Sequence, residues 1–394
     1  QDQYALSSIR SDGRQQELIV QGRSIGSPRW SPQGSHIIFF REEDDAVDLM
    51  KVGIDPITGR LASSPIPLLT GLGKNNSSPI SLTQDGRNLV YTKDDTYGNL
   101  WLWSIESQGR QRASRTLRLT SGTVNRGWPV LSPDGQTLAF AAPEGGSVNL
   151  FTLSVSGDET RPRQLTFFRS WDSQIGVPAW SPDGKEIAFV SGEGGVLRVW
   201  RIPATGGSPR PFPRSEPSEF RSLIWAPGAQ ILYQRPRNRN FHFLDPVTEE
   251  ERPLLADDSA GFIHYPRYAP DGKRLVVWWD RAGEGPSLQV ISLTDGAQTT
   301  IAPSTSTIDP RPVGWSDDGQ WIYVFRRAPG GGEILRFPSA GGAPEPWGTA
   351  TFGRDAICPS MALDGRRFAC MVEEGQTDGW LIEDFDAPPA QTSR

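Results

Sequence analysis

Apolar and polar residues along this chain come in short bursts, and no stretch holds a helical period over three turns. The clearest burst is Val177-Pro-Ala-Trp-Ser-Pro-Asp-Gly184, followed by the apolar run Ile187-Ala-Phe-Val190. The Pro-x-Trp stretch predicts a short inner strand. Ser-Pro-Asp-Gly predicts a tight turn, in which Pro presets φ, Asp bonds nearby backbone and Gly accepts a positive φ. The apolar run after it predicts a second, buried strand. A third strand is expected at Asn99-Leu-Trp-Leu-Trp-Ser104, Asn149-Leu-Phe-Thr-Leu153 and Leu197-Arg-Val-Trp200. A more polar fourth follows, as in Leu117-Arg-Leu-Thr120 and Arg163-Gln-Leu-Thr166.

The burst recurs. Near copies are Trp128-Pro-Val-Leu-Ser-Pro-Asp-Gly135, Ser27-Pro-Arg-Trp-Ser-Pro-Gln-Gly34 and Tyr265-Pro-Arg-Tyr-Ala-Pro-Asp-Gly272. Looser copies turn at Asp85-Gly86, Asp318-Gly319 and Asp364-Gly365, and the most eroded at Pro227-Gly228. The turn glycines Gly34, Gly86, Gly135, Gly184, Gly228, Gly272, Gly319 and Gly365 are spaced 44 to 52 residues apart. That is the period of a four-stranded propeller blade. The expected fold is all-β: one eight-bladed propeller over residues 1–386, with a disordered tail at 387–394. Seven blades with irregular closure is the alternative. Ring closure calls for strands from both termini. Gln16–Val20 is the simplest fourth strand of the last blade, while Tyr4–Ile9 competes with Trp380–Phe385 for its third-strand slot.

These units resemble the TolB-type, WD-like β-propeller repeats of bacteria over nearly the whole chain. The closing segment Thr377-Asp-Gly-Trp-Leu-Ile-Glu-Asp-Phe-Asp386 is similar to the end of extracytoplasmic propeller regions attached to receptor-type Ser/Thr kinases and winged-helix regulators. The resemblance implies a binding or sensing module outside the cytoplasm. It also implies that the channel-mouth face carries the site. No kinase or winged-helix motif is present, so signalling is implied by kinship alone.

Composition fits this reading. Gly (42) and Pro (34) supply the turns, and 14 Trp suit short aromatic strands. The net charge of −6 and the scattered Arg residues give no basic block for nucleic acid. The longest apolar runs, such as Leu275–Trp279, are far shorter than the roughly 20 residues of a membrane-spanning helix. The chain begins at Gln1 and reads as a piece of something longer, and a monomer is expected. Cys358 and Cys370 are too few for a disulfide scaffold or a four-Cys zinc site. A turn centred on Asp364-Gly365 offsets them by about one residue. That favours free thiols over a bridge, because neighbouring positions on a strand face opposite sides.

In a blade, the Ser-Pro-Asp-Gly turns lie on one face of the disc. The segments before each Pro-x-Trp lie on the other, at the channel mouth. Those segments supply Arg126, Trp128, Trp171, Asp172, Arg221, His264, Tyr265, Asp309, Arg311, Arg354 and Asp355 as candidate binding residues. Aromatics and Arg converging on a concave mouth suit capture of a protein segment, peptide or small ligand. The competing view makes Trp128 and Tyr265 packing residues and the Arg–Asp pairs structural bridges. His36, His242 and His264 fall in three different blades, so no catalytic His and no His-based metal site is expected. Gly22-Arg-Ser-Ile-Gly26 matches the G-x-S-x-G pattern, but a Pro and a strand follow it, and it is read as a chance match. The acidic groups at 42–45, 94–95 and 257–258 could hold calcium but lack EF-hand spacing; solvated loop charge is the preferred account. Two rivals to binding remain: a channel-site lyase or hydrolase, and a structural scaffold of an envelope complex.

Overall fold

In a computed structural model, the described residues are 4–383 except 15, 23, 44–45, 73–79, 95, 109–110, 157–160, 170–174, 214, 216–222, 229, 236–239, 256–260, 282, 306–309, 363 and 376. Every regular element among them is a β-strand. The chain divides into two compact units, residues 1–96 with 375–394, and residues 97–374.

In the first unit, β1 (Tyr4–Ser8) and β2 (Glu17–Gly22) form a hairpin. A four-stranded meander follows: β3 (Ser24–Trp30), β4 (His36–Glu43), β5 (Ala46–Gly53) and β6 (Ile66–Leu69). The short β7 (Ser81–Leu82) then pairs with β8 (Leu89–Asp94).

The second unit begins with β9 (Tyr97–Gln108) and β10 (Gln111–Arg118). Five meander sheets succeed them. They are β11 (Gly127–Leu131), β12 (Thr137–Glu144), β13 (Ser147–Ser154) and β14 (Arg163–Gln164); β15 (Ala179–Trp180), β16 (Glu186–Ser191), β17 (Arg198–Pro203) and β18 (Arg210–Pro211); β19 (Leu223–Trp225), β20 (Ile231–Gln234), β21 (Phe241–Leu244) and β22 (Glu251–Pro253); β23 (Phe262–Tyr268), β24 (Arg274–Arg281), β25 (Gly285–Ser292) and β26 (Gln298–Pro303); and β27 (Arg311–Trp315), β28 (Trp321–Ala328), β29 (Gly331–Pro338) and β30 (Glu345–Thr351). The sixth sheet is built from both ends of the unit. The hairpin of β31 (Ala356–Met361) and β32 (Arg367–Glu374) adds β9 and then β10 to its outer edge. The last strand, β33 (Thr377–Ile382), belongs to the first unit and pairs with β8.

Six buried clusters show that the second unit closes on itself. Leu102 and Ala369 of the closing sheet pack on Leu131 and Leu138 of the β11 sheet. That sheet packs on the next through Ala139 and Phe189. Val190 then meets Tyr233, Phe243 meets Val277, and Val276 meets Trp315. Finally Tyr323 meets Trp103, Cys358 and Phe368 of the closing sheet. The apolar runs after each turn therefore form the walls between blades, where burial of each large side chain contributes about 1.5–3 kcal/mol.

Arg367 ties the closing sheet to its neighbour, donating to the Gly135 carbonyl at 2.7 Å. Arg274 repeats the device, donating to the Gly319 carbonyl at 3.3 Å. The turns themselves behave as the sequence implies. Seven of the eight turn glycines have φ of 65–72°, and Gly228 of the eroded unit does not share it. Ser132, Ser181 and Ser316 each donate to the Asp two residues on.

The structure departs from the sequence reading in three places. Eight blade-like units in one ring were expected; six sheets close within the second unit, and β9 and β33 each pair away from the strand that precedes them. Neither terminal candidate completes a last blade: Tyr4–Ser8 and Glu17–Gly22 pair with each other, and Thr377–Ile382 pairs with β8. Third, Cys358 and Cys370 are disulfide-bonded, with Cα atoms 4.0 Å apart. The expected offset vanishes because the β31–β32 register shifts between Ile357 and Ser360. A bulge at Pro359 changes which residues face each other, and Cys358 comes to lie opposite Cys370. The tail at 387–394 lies outside the described residues.

Candidate functional site

The inner strands position the mouth. Five of them shift register beside their Pro: β3, β11, β23, β27 and β31. Pro has no N–H to give the ladder, so a bulge there costs little pairing, and bulges re-aim side chains. Among the described residues, three of the four non-glycine residues with positive φ directly precede these prolines: Ser27 (50°), Trp128 (53°) and Tyr265 (51°). Trp128, Tyr265 and Cys358 stand seven residues before their turn glycines. Cys358 lacks the positive φ and is buried, whereas Trp128 is 48% exposed. The left-handed backbone, unfavourable for a side chain as large as Trp, turns the indole out of the blade wall. The β11 and β23 sheets are three places apart in a ring of six, so Trp128 and Tyr265 stand on opposite sides of it.

Around Tyr265 the sequence builds an aromatic platform. His264 lies 6.0 Å from Tyr265 and 5.2 Å from Trp278, ring centre to ring centre, and stacks on Phe262 at 6.3 Å. Tyr265 meets Trp278 edge-on at 6.5 Å. Arg311, exposed on the next inner strand, sits 5.5 Å from the Tyr265 ring centre, with Nη1 3.5 Å from the Tyr265 hydroxyl. Phe262 is 44% exposed, and the buried Trp278 indole N–H meets no acceptor. Such a surface offers stacking faces and one cation to an incoming group.

Beneath it, Arg267 clamps three consecutive inner strands. Its guanidinium donates to the carbonyls of Pro266 (2.7 Å), Val313 (3.3 Å) and Pro359 (2.7 Å). Burial lowers its pKa to about 10, opposed by Tyr265, so it is still charged at neutral pH.

Arg126 is held by a different network. The buried Asn99 side chain accepts from Thr120 Oγ1 and from Arg126 Nη1, and donates to the Gly122 carbonyl. Arg126 N–H donates to the Gly98 carbonyl, and a Cβ at Gly98 would lie 2.7 Å from the Arg126 carbonyl. Partial burial lowers the Arg126 pKa. Arg126 and Arg118 line a shallow cleft with Thr120, Ser121 and Pro162, and Arg118 pairs with Glu374 at 2.9 Å.

Of the expected mouth residues, the structure brings His264, Tyr265 and Arg311 together and exposes Trp128. It places Arg126 in the Asn99 network and leaves Arg354 and Asp355 exposed just before β31. Trp171, Asp172, Arg221 and Asp309 lie outside the described residues. His264 and Tyr265, expected in a segment ahead of an inner strand, belong to strand β23 itself, together with Phe262. Trp278 and Arg267 were missed. Trp278 looked like one more residue of an apolar run, although its register partner is His264. Among the described residues, no three His, Cys, Asp or Glu side chains gather as metal ligands.

Residues 77–260 match the family model described as the TolB beta propeller domain. Over that span the repeats match TolB-type propeller blades. No curated protein matches the chain. A solved structure from Agrobacterium tumefaciens, described under the TolB name, is 18% identical with a TM-score of 0.54, covering 71% of this chain and 99% of that one. TolB from Acinetobacter baumannii is 14% identical with a TM-score of 0.47, covering 86% of this chain and 79% of its own. An oligogalacturonate lyase from Vibrio parahaemolyticus is 14% identical with a TM-score of 0.39, covering 82% and 93%. At 18% identity the likeness to the Agrobacterium tumefaciens structure is one of fold.

Proposed function

We propose that this TolB-type propeller is a non-catalytic binding module that takes a protein segment or small ligand at its mouth, on the Tyr265 platform and Trp128. One observation carries the reading. At one repeat position, two blades hold large aromatics in left-handed backbone, Trp128 exposed and Tyr265 half-buried, where a third buries its residue. Strained backbone concentrates at sites of recognition, and Trp, Tyr and Arg are the residues that dominate binding energy. Arg126, Arg354 and Asp355, with Trp171, Asp172, Arg221 and Asp309 from the neighbouring segments, complete the proposed surface. The location is outside the cytoplasm; the TolB-type repeats and the Cys358–Cys370 disulfide, a bond that persists in oxidising compartments, support this. A sensing role is the finer part of the same reading.

The test is direct. A partner is retrieved with the wild-type chain, and its affinity is then measured by calorimetry for Trp128→Ala and Arg311→Ala. Each substitution is expected to weaken binding about tenfold or more. Unchanged affinity in both, with thermal unfolding intact, overturns the assignment of this face.

A further inference from the structure

Two arginines join neighbouring turns of the second unit, and each carries its own counter-charge. Arg274 meets Asp271 and Arg367 meets Asp364, both at 2.9 Å. Arg267 joins more strands, and among the described residues no carboxylate faces it. The three carbonyls it bonds, those of Pro266, Val313 and Pro359, each stand six residues before a turn glycine, on β23, β27 and β31. One guanidinium reaches three successive inner strands only where blades converge, at the central channel. Arg267 is enclosed by protein yet keeps accessible surface, as a side chain lining a channel does. At its repeat position the other five sheets carry Val130, Ala179, Leu223, Gly314 and Ser360, so the repeat brings no second charge there.

We propose that Arg267 is an anion receptor inside the channel, and that the ligand held on the Tyr265 platform presents a carboxylate to it. The proposal rests on the binding reading above and adds the chemical class of the ligand. A guanidinium has five N–H donors, and Arg267 gives one each from Nε, Nη1 and Nη2 to the three carbonyls. Each terminal nitrogen therefore keeps one N–H, and a carboxylate has two oxygens to meet them. Neutral carbonyls hold the group in place without cancelling its charge, and a cation enclosed by protein without a counter-ion favours the arrival of one. The charge is there to be met, since the guanidinium stays protonated at neutral pH. One carboxylate matches one cation. A phosphate dianion would set a second negative charge among three carbonyl oxygens. Tyr265 precedes Arg267 by two residues on β23, so the matching group is a carboxylate close to an aromatic ring.

Binding of N-acetylphenylalanine and of its amide to the full chain, followed at neutral pH by ligand-observed NMR, compares a carboxylate with an uncharged group on the same ring. The acid is expected to bind about tenfold tighter than the amide. Arg267→Gln removes the charge and should bring the two probes to equal affinity. Arg267→Lys keeps the charge and should keep a preference for the acid. Equal affinity of acid and amide for the wild-type chain overturns the proposal, whether or not Arg267→Gln folds. Failure of both probes to bind at millimolar concentration overturns it, as does an acid preference that survives Arg267→Gln. Tighter binding of inorganic phosphate than of the acid overturns the carboxylate assignment. A longer peptide ending in phenylalanine, with its end free or amidated, separates the sources. Binding of both free acids supports a chain terminus as the ligand, and binding of the short acid alone supports a small molecule. The receptor and the platform fail separately: if Arg311→Ala weakens both probes alike while neither acid is preferred, the platform stands and the receptor falls.

Discussion

The smallest repeated device is a hydroxyl facing a carboxylate. Ser181 Oγ donates to Asp183, the Lys185 N–H donates to the same oxygen, and the Asp183 pKa falls from 3.8 to about 2. Asp85, Asp134 and Asp318 are lowered in the same way, each first by its Thr or Ser hydroxyl. A carboxyl whose pKa is depressed by folding stabilises the fold above its unfolded pKa and loses that contribution as pH falls through the folded one. The turns should therefore keep their full contribution above about pH 4 and lose it toward pH 2. Ser181→Ala removes the largest cause and lets Asp183 rise toward 3.8. Its loss of stability should be largest near neutrality and shrink toward pH 2, and its acid-unfolding midpoint should move to higher pH, as followed by tryptophan fluorescence. A midpoint unchanged from wild type would show that the turn hydroxyl does not set this titration.

At the scale of the strand, one bulge beside Pro serves two purposes. At Trp128 it turns an aromatic outward through a left-handed backbone; at Cys358 it aligns a side chain with Cys370. Glycine accepts φ near 53° without penalty. Trp128→Gly is thus expected to hold or raise stability by up to about 1 kcal/mol while weakening binding about tenfold or more. Loss of binding together with loss of stability would instead make Trp128 a packing residue. Replacing Cys358 and Cys370 by Ser should cost about 2–3 kcal/mol in urea unfolding, the usual worth of a bridge closing a short loop. The strands and turns were legible because Pro, Asp-Gly and the apolar triplets each act locally. The bulge was not. Its one-residue shift depends on which partner atoms a Pro leaves unbonded, and that shift separates free thiols from a disulfide. Trp278 was hidden for a related reason: alternation along β24 marks it as apolar, while its membership of the platform depends on register with His264.

At the scale of the molecule, the sequence repeats eight times, but repetition alone does not say which copies pair. β9 and β33 carry similar patterns, Gly98-Asn-Leu-Trp-Leu and Asp378-Gly-Trp-Leu-Ile, so hydrophobic matching accepts either neighbour. Partner choice is a long-range property, and so the blade count was less legible than the blades. The sheet order makes a strong claim about autonomy. Residues 97–374 contain both halves of the closing sheet, and their six interblade clusters form a closed cycle. A chain of 97–374 alone should fold to a monomer that unfolds in a single urea transition, because no sheet in it lacks a partner. A shorter chain of 119–374 loses β9 and β10. It exposes the edge of β32 and uncovers Phe368 and Cys370, which pack on Trp103. Such an edge recruits other chains, so this fragment should aggregate or elute as oligomers in size-exclusion chromatography. Equal behaviour of the two fragments would mean that β9 and β10 do not close the ring.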